Sequence, residues 1–332
     1  MKVIFLFPYP LEEAPSQRFR FEQYFAILKT KHIIFSCHSF WSKKGWKILY
    51  SPKRNLLKLL YFLMGWLNRF LILFKIPFVD FVFVHRECLP VGPPVIEWVI
   101  AKVLRKKIIY DFDDAIWLPN TSSENGFAAI MKWHSKVGAI CKWSYKVSCG
   151  NEYLSEFAQR YNRNVTVNPT TVDTEHLHNP SLYKIPEDRN KIIIGWTGTH
   201  STLKYLEFLV PIIQKLETQF NNFQFLIIAN KRPSIDLKSM AFLPWSKENE
   251  MEDLMKFDVG VMPLSEDIWS FGKCGFKALQ YMALEIPTIA SPVGVNTKII
   301  DHGLNGFLCS SEQEWFVSLS NLILNSALRK QI

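Results

Sequence analysis

The sequence predicts an α/β protein built as two doubly wound, Rossmann-like domains facing a cleft. Three observations support this. Apolar runs of strand length alternate with helical patterns along the whole chain, the order that yields parallel sheets with helices on both faces. The 332 residues, 48% of them apolar and 14% aromatic, suffice for two cores of ordinary size and are too hydrophobic for a disordered chain. A polar, proline-bearing stretch at 179–189 interrupts the alternation and reads as a linker, so domains are expected at 1–180 and 190–332.

In the first half, residues 2–7 read as a buried strand, too short an apolar run for a signal peptide. The loop from Ala14 to Arg20 follows at that strand's carboxyl end, where open α/β sheets bind ligands, and it puts Arg18 forward as a cleft residue. Arg20, one residue into a helix expected over 19–28, reads as solvated. A strand is expected at 33–38, then a basic, aromatic stretch from Trp41 to Lys47. Residues 56–74 are long and apolar enough to raise a membrane-spanning helix. Lys58, Asn68 and Arg69 argue against spanning, and leave a helix lying in the plane of a membrane surface or one packed on the sheet. Strands at 78–85 and 108–110 flank a helix ending near Leu104, and the second strand runs into Asp111, Asp113 and Asp114. Carboxylates so crowded repel one another unless a proton, a cation or a sugar hydroxyl satisfies them. Alternation puts Asp111 and Asp113 on one face as candidate catalytic groups, with a helix cap and surface acids as the competing reading. Helices at 127–141 and 153–161 and strands at 143–149 and 165–167 complete this half.

The second half opens with a strand at 191–194 that breaks into Gly195, Trp196, Thr197, Gly198 and Thr199 before a helix over 203–220. A strand, a hydroxyl-rich glycine turn and a helix start let backbone N–H groups approach a phosphate closely. Strands at 223–228, 242–245 and 259–262 and a helix at 248–256 follow. Beyond them, Phe276, Leu279, Met282 and Ala283 recur at helical spacing in a helix that must stop before Pro287, with a short strand at 287–291 after it. Lys273, Lys277 and Gln280 fall at i, i+4 and i+7 on the opposite stripe, with Lys273 and Gly275 at the helix start. That end of a helix carries unpaired N–H groups and a partial positive charge, so two lysines beside it suit a diphosphate. A solvated lysine face is the alternative. A helix at 312–328 ends the chain.

The run from Gly272 to Asn296, with Asp258 to Leu264 before it and Asn305 to Leu308 after it, resembles in order and spacing the nucleotide-sugar site of family-four glycosyltransferases of the GT-B fold. The stretch from Tyr110 to Trp117 resembles a polysaccharide-biosynthesis branch of that family, and 168–173 resembles the turn by which its members leave the first domain. The resemblance implies a first domain that holds the acceptor and a second that binds the donor through Gly195, Thr197, Gly198, Thr199, Lys204, Lys273, Gly275, Lys277 and Gln280, with Trp245 near the base. Lys277, neutralising the leaving diphosphate, joins Asp111 and Asp113 as the expected catalytic set. Transfer that retains anomeric configuration is implied, with no metal and no cofactor beyond the nucleotide diphosphate sugar itself.

The sequence departs from the family in three places. Gly272 and Gln280 stand where most members carry glutamates; Trp196 stands where most carry arginine, with Lys204 keeping a later lysine; and the chain ends before the helices that usually brace the first domain. Two further readings therefore stay open: a degenerate GT-B protein that binds nucleotide sugar or glycan without turnover, and a GT-B nucleotide-sugar epimerase.

Charge points to where the protein works. Residues 1–107 hold 18 Lys+Arg against 6 Asp+Glu, a net of +12, whereas 108–332 carry −3. A one-sided basic half suits an anionic surface, and without a nucleic-acid motif the expected partner is a membrane, with a lipid-linked or polysaccharide acceptor such as one for lipopolysaccharide or capsule. The six cysteines show no C-x-x-C pair, so neither zinc nor a disulfide framework is expected. A cytoplasmic protein, peripheral at the inner face of the membrane, fits these features.

Overall fold

The computed structural model describes residues 1–49, 51, 53–119, 133–184 and 190–332. It divides into two compact units, Met1–Thr170 and Thr171–Ile332. The expected start of a helix at 127 and the end of the expected linker, 185–189, lie outside the described residues.

The first unit is a six-stranded parallel sheet in the order β2-β1-β3-β4-β5-β6: β1 (Lys2–Phe7), β2 (Ile34–Ser39), β3 (Phe81–His85), β4 (Lys107–Phe112), β5 (Lys146–Cys149) and β6 (Val165–Val167). β1 is central because alternate residues serve two layers. Val3, Phe5 and Phe7 pack with Phe21 and, more peripherally, Phe25, Phe35 and Phe83, while Ile4 and Leu6 are buried on the other face. Strand order reverses between β1 and β3, so the carboxyl ends of these strands border the crevice where doubly wound sheets take ligands.

The helix expected over 19–28 is broken into a short helix Pro15–Arg18, a 3-10 turn Glu22–Tyr24 and a helix Phe25–Thr30. Phe19, Arg20 and Phe21 are all buried, and three successive inward side chains cannot lie on one face of a surface helix. The long apolar segment is a helix, Asn55–Leu73, packed on the sheet through Gly65, Arg69 and Ile72. Gly65 allows the approach, since a Cβ there would overlap the Phe40 carbonyl and ring. Trp41, which opens the basic, aromatic stretch, is buried edge-on to Phe40.

The second unit is also a six-stranded parallel sheet, β12-β11-β10-β7-β8-β9: β7 (Ile192–Gly198), β8 (Phe223–Ala229), β9 (Met240–Pro244), β10 (Val259–Met262), β11 (Thr288–Ala290) and β12 (Phe307–Leu308). Counted within the unit this is the order 3-2-1-4-5-6, with its reversal between β7 and β10. One face is filled by Ile194, Trp196, Phe225, Ile227 and Trp315, the other by Leu226, Ile228, Phe257 and Tyr281. Leu177 and Tyr183 pack on the latter cluster, which is why the division falls at Thr170/Thr171 and not at the expected 180. The last helix runs Glu312–Leu324 and restarts as Ser326–Gln331, because the Asn325 side chain caps a new N-terminus by accepting from the Leu328 N–H at 3.0 Å.

Candidate functional site

At the reversal of the second sheet, β7 does not break at Gly195 as expected but continues to Gly198. Both glycines make room for rings: a Cβ on Gly195 would overlap Phe257, and one on Gly198 would overlap Trp196 and the Thr202 hydroxyl. Gly195 is thus corrected from a phosphate-turn residue to a packing residue, and the turn begins after Gly198. There the Thr199 N–H donates to Thr202 Oγ1 at 3.2 Å, and Thr199 and Ser201 share a hydrogen bond of 2.9 Å between hydroxyls. Thr199 caps a 3-10 helix, His200–Leu209, that passes into an α-helix, Val210–Gln219. Thr197, inside the strand, donates its N–H to Tyr281 Oη at 3.0 Å.

Tyr281 belongs to the helix Phe276–Ala283, whose inward residues are Ala278, Gln280 and Tyr281. The expected inward set of Phe276, Leu279, Met282 and Ala283 is only partly buried, about one residue out of phase. The Tyr281 ring fills the space left by the absent side chain of Gly260 on β10, so this helix is fixed to both strands at the reversal. Burial holds the Tyr281 hydroxyl well above its ordinary pKa, keeping it a neutral acceptor. The helix starts on Gly275, in the left-handed conformation at φ 67°, with no side chain to occupy its first-turn amides. Lys277 follows in the first turn, its ammonium 5.6 Å from the centroid of the Trp196 ring. A cation, a helix N-terminus and the end of β7 therefore meet at one place.

Two expected donor residues, Lys273 and Gln280, are placed differently. Lys273 is not one turn before Lys277 on the same helix: it lies in extended conformation ahead of Gly275, with its ammonium 5.3 Å from the Trp269 ring. Gln280 is not on an outward lysine stripe but 2% exposed, its amide 3.2 Å from His178 Nε2. Lys204 is exposed and lies over the Tyr205 ring at 5.2 Å. Trp245, half-buried just past β9, donates its indole N–H to Glu250 at 3.4 Å.

At the carboxyl edge of the first sheet the three aspartates part company, contrary to the expectation that Asp111 and Asp113 act on one face. Asp111 is buried. It pairs with Arg20, accepts from Ser148 Oγ at 2.7 Å and meets His85 Nδ1 at 2.9 Å. Burial alone would raise its pKa, but the Arg20 charge and the His85 hydrogen bond prevail and hold the carboxyl well below the usual range. Asp111 is therefore corrected from a catalytic candidate to the centre of a buried ionic network. Asp113 and Asp114 instead share Arg86, at 2.8 Å and 2.6 Å. Burial opposes the Arg86 charge, and the two carboxylates more than offset this, so the guanidinium stays protonated far above its ordinary value. Arg86 sits at φ 59°, a costly conformation for a residue that carries a Cβ; its N–H donates to the Asp111 carbonyl at 2.8 Å and its own carbonyl accepts from Tyr110 Oη at 2.7 Å. Arg18, put forward for the cleft, is buried with its guanidinium 4.9 Å from the Phe19 ring.

Sequence reasoning missed Arg20, His85 and Arg86. The available signal was charge balance: three acids at one strand end require cations, and basic side chains at the ends of neighbouring strands are the nearest source.

Residues 191–325 match the family described as Glycosyl transferases group 1. No curated protein is matched by the sequence. Among solved structures, the fold is similar to a glycosyltransferase from Rickettsia africae, with TM-score 0.66 and 14% identity over 100% of this chain and 90% of that one. Similar too are a sucrose-phosphate synthase from Thermosynechococcus elongatus, at 0.64 and 12%, and Anabaena HepE in complex with UDP and glucose, at 0.63 and 12%, each covering 100% of this chain and 92% of the other. Two parallel six-stranded units of this kind make the GT-B fold. With a group 1 glycosyltransferase domain as its second unit, the chain is a glycosyltransferase.

Proposed function

We propose that the protein moves a sugar from a nucleoside diphosphate donor, bound by the second unit, to a lipid-linked or polysaccharide acceptor bound by the first. Transfer retains anomeric configuration and uses no metal, and the protein works at the cytoplasmic face of a membrane. The observation that carries this reading is Lys277, held over Trp196 in the first turn of a helix that starts on Gly275 at the reversal of the sheet. A preorganised cation beside a helix N-terminus stabilises the charge that grows on a departing diphosphate. UDP, which Anabaena HepE binds, is the first nucleotide to try.

In the first unit, Asp113 stands at the carboxyl edge with Arg86 and is the carboxylate we assign to the reacting sugar or acceptor. The test is turnover of UDP-sugars with lipid-linked acceptors in excess EDTA, the product's anomeric configuration being read by NMR. Unchanged turnover supports direct charge neutralisation by the protein; loss restored by manganese or magnesium contradicts it. One observation favours binding without turnover: Gln280, which stands where most members of the resembled family carry glutamate, is turned inward onto His178. UDP binding with no sugar release from any donor would establish that second reading.

A further inference from the structure

The Asn55–Leu73 helix is built inside out. Its sheet-facing side holds Gly65, Arg69 and Ile72, while Leu56, Leu60, Leu63, Leu67 and Leu71 stand outward and exposed, at spacings of four, three, four and four. Leu56 is 81% exposed, and Phe74 and Phe78, just beyond the helix, are each 77% exposed. A contiguous apolar stripe this long is far more than the scattered leucines of an ordinary surface.

By length and composition this helix could cross a membrane, but its other side is pinned. Buried Arg69 donates to the backbone carbonyls of Phe7 at 2.7 Å, His38 at 2.8 Å and Cys88 at 2.9 Å, joining the helix to the carboxyl edge of the sheet. Spanning would strip all three bonds from a charged group. Surrounding charge then selects what covers the stripe. Residues 23–79 contain ten Lys+Arg and no Asp or Glu. Lys43, Lys44, Lys47, Lys53 and Arg54 are exposed just before the helix and Lys75 just after it. A second copy seated on this face would oppose the same cations, whereas an anionic bilayer offers hydrocarbon to the leucines and phosphate to the lysines.

We infer that this helix docks the protein in the plane of an anionic lipid surface, its outward leucines in the acyl boundary and the flanking lysines among the headgroups. Because Arg69 ties the helix to Phe7 and Cys88, docking brings the edge that carries Arg86 and Asp113 to the bilayer. That deepens the reading of a lipid-linked acceptor, although the docking itself needs neither donor nor acceptor.

Flotation of the full chain with phosphatidylglycerol-containing vesicles and with pure phosphatidylcholine vesicles tests it, without any sugar present. Wild type should float with the anionic vesicles, and about 0.5 M salt should weaken this, since screening then acts within a few ångströms. Leu63→Glu/Leu67→Glu and Lys43→Glu/Lys44→Glu/Lys47→Glu should each weaken flotation by at least about tenfold, because one removes buried apolar area and the other reverses the electrostatic attraction. Both sets are exposed, so the thermal midpoint and UDP titration should match wild type; a failed UDP titration in wild type would count against the donor reading alone. No flotation with anionic vesicles overturns the inference. So does a stable dimer in sedimentation that Leu63→Glu/Leu67→Glu dissociates while leaving flotation unchanged, since the stripe would then be a contact between copies.

Discussion

At the scale of single residues, the sequence showed that the acids after β4 were too crowded to be unused, but not which cation each would find. Alternation along a strand tells which side a group leaves from; it does not tell that Arg20, from a segment read as a solvated helix, reaches Asp111 across the sheet end. Two outcomes follow from the pairing. Asp111, held below its unfolded value of about 3.9, adds stability above that pH, and the contribution is lost as pH falls through its folded value. Urea midpoints should therefore drop as pH is lowered from about 5 to about 3. In Asp111→Asn that part of the pH dependence should be missing, and stability at neutral pH should fall by roughly 3–5 kcal/mol, because Arg20 is left buried without its carboxylate. A midpoint that does not change on substitution would mean that solvent, not Asp111, compensates Arg20. Asp113→Asn should behave differently. Its partner Arg86 keeps Asp114, so folding should be little affected, while kcat/KM falls by about tenfold or more, ~1.4 kcal/mol, and UDP affinity stays as it was. Wild-type kcat/KM in that variant would leave Asp113 as a loop-building group.

At the scale of elements, strands and helices with strong periodicity were legible: β1, β6, β10 and the Asn55–Leu73 helix fall within a residue or two of their expected bounds. The glycine-rich segment after 194 was not. A glycine in sequence signals that a side chain is not tolerated, without saying whether the excluded space belongs to a turn, a ligand or a neighbouring ring. Here Gly195 lies against Phe257 inside β7, and the turn starts four residues later. Gly195→Ala should therefore lower the unfolding free energy by roughly 1–3 kcal/mol through overpacking, with Phe257→Leu in the same chain recovering part of it. Thermal denaturation of the single and double variants measures this. Loss of UDP binding with full thermal stability would return Gly195 to the phosphate site. The helix Phe276–Ala283 illustrates a related limit. Its existence was legible, but a phase shift of about one residue moved Gln280 from the outward stripe to the interior, because Tyr281 and not Leu279 fills the gap over Gly260.

At the scale of the whole molecule, two parallel sheets followed from the alternation of strands and helices, whereas the strand orders did not, since the side on which each crossover returns leaves little trace in composition. Those orders matter most for function. They put β7 beside β10, and so bring the segment after Gly198 and the Lys277 helix, about eighty residues apart in sequence, to one sheet reversal. The central claim is that a diphosphate binds there. Calorimetric titration of UDP and the other nucleoside diphosphates into wild type and Lys277→Ala tests it most directly. Binding in wild type, weakened by about 2–3 kcal/mol in Lys277→Ala at unchanged thermal stability, is the predicted result. Equal affinity in the two proteins for every nucleoside diphosphate would contradict it.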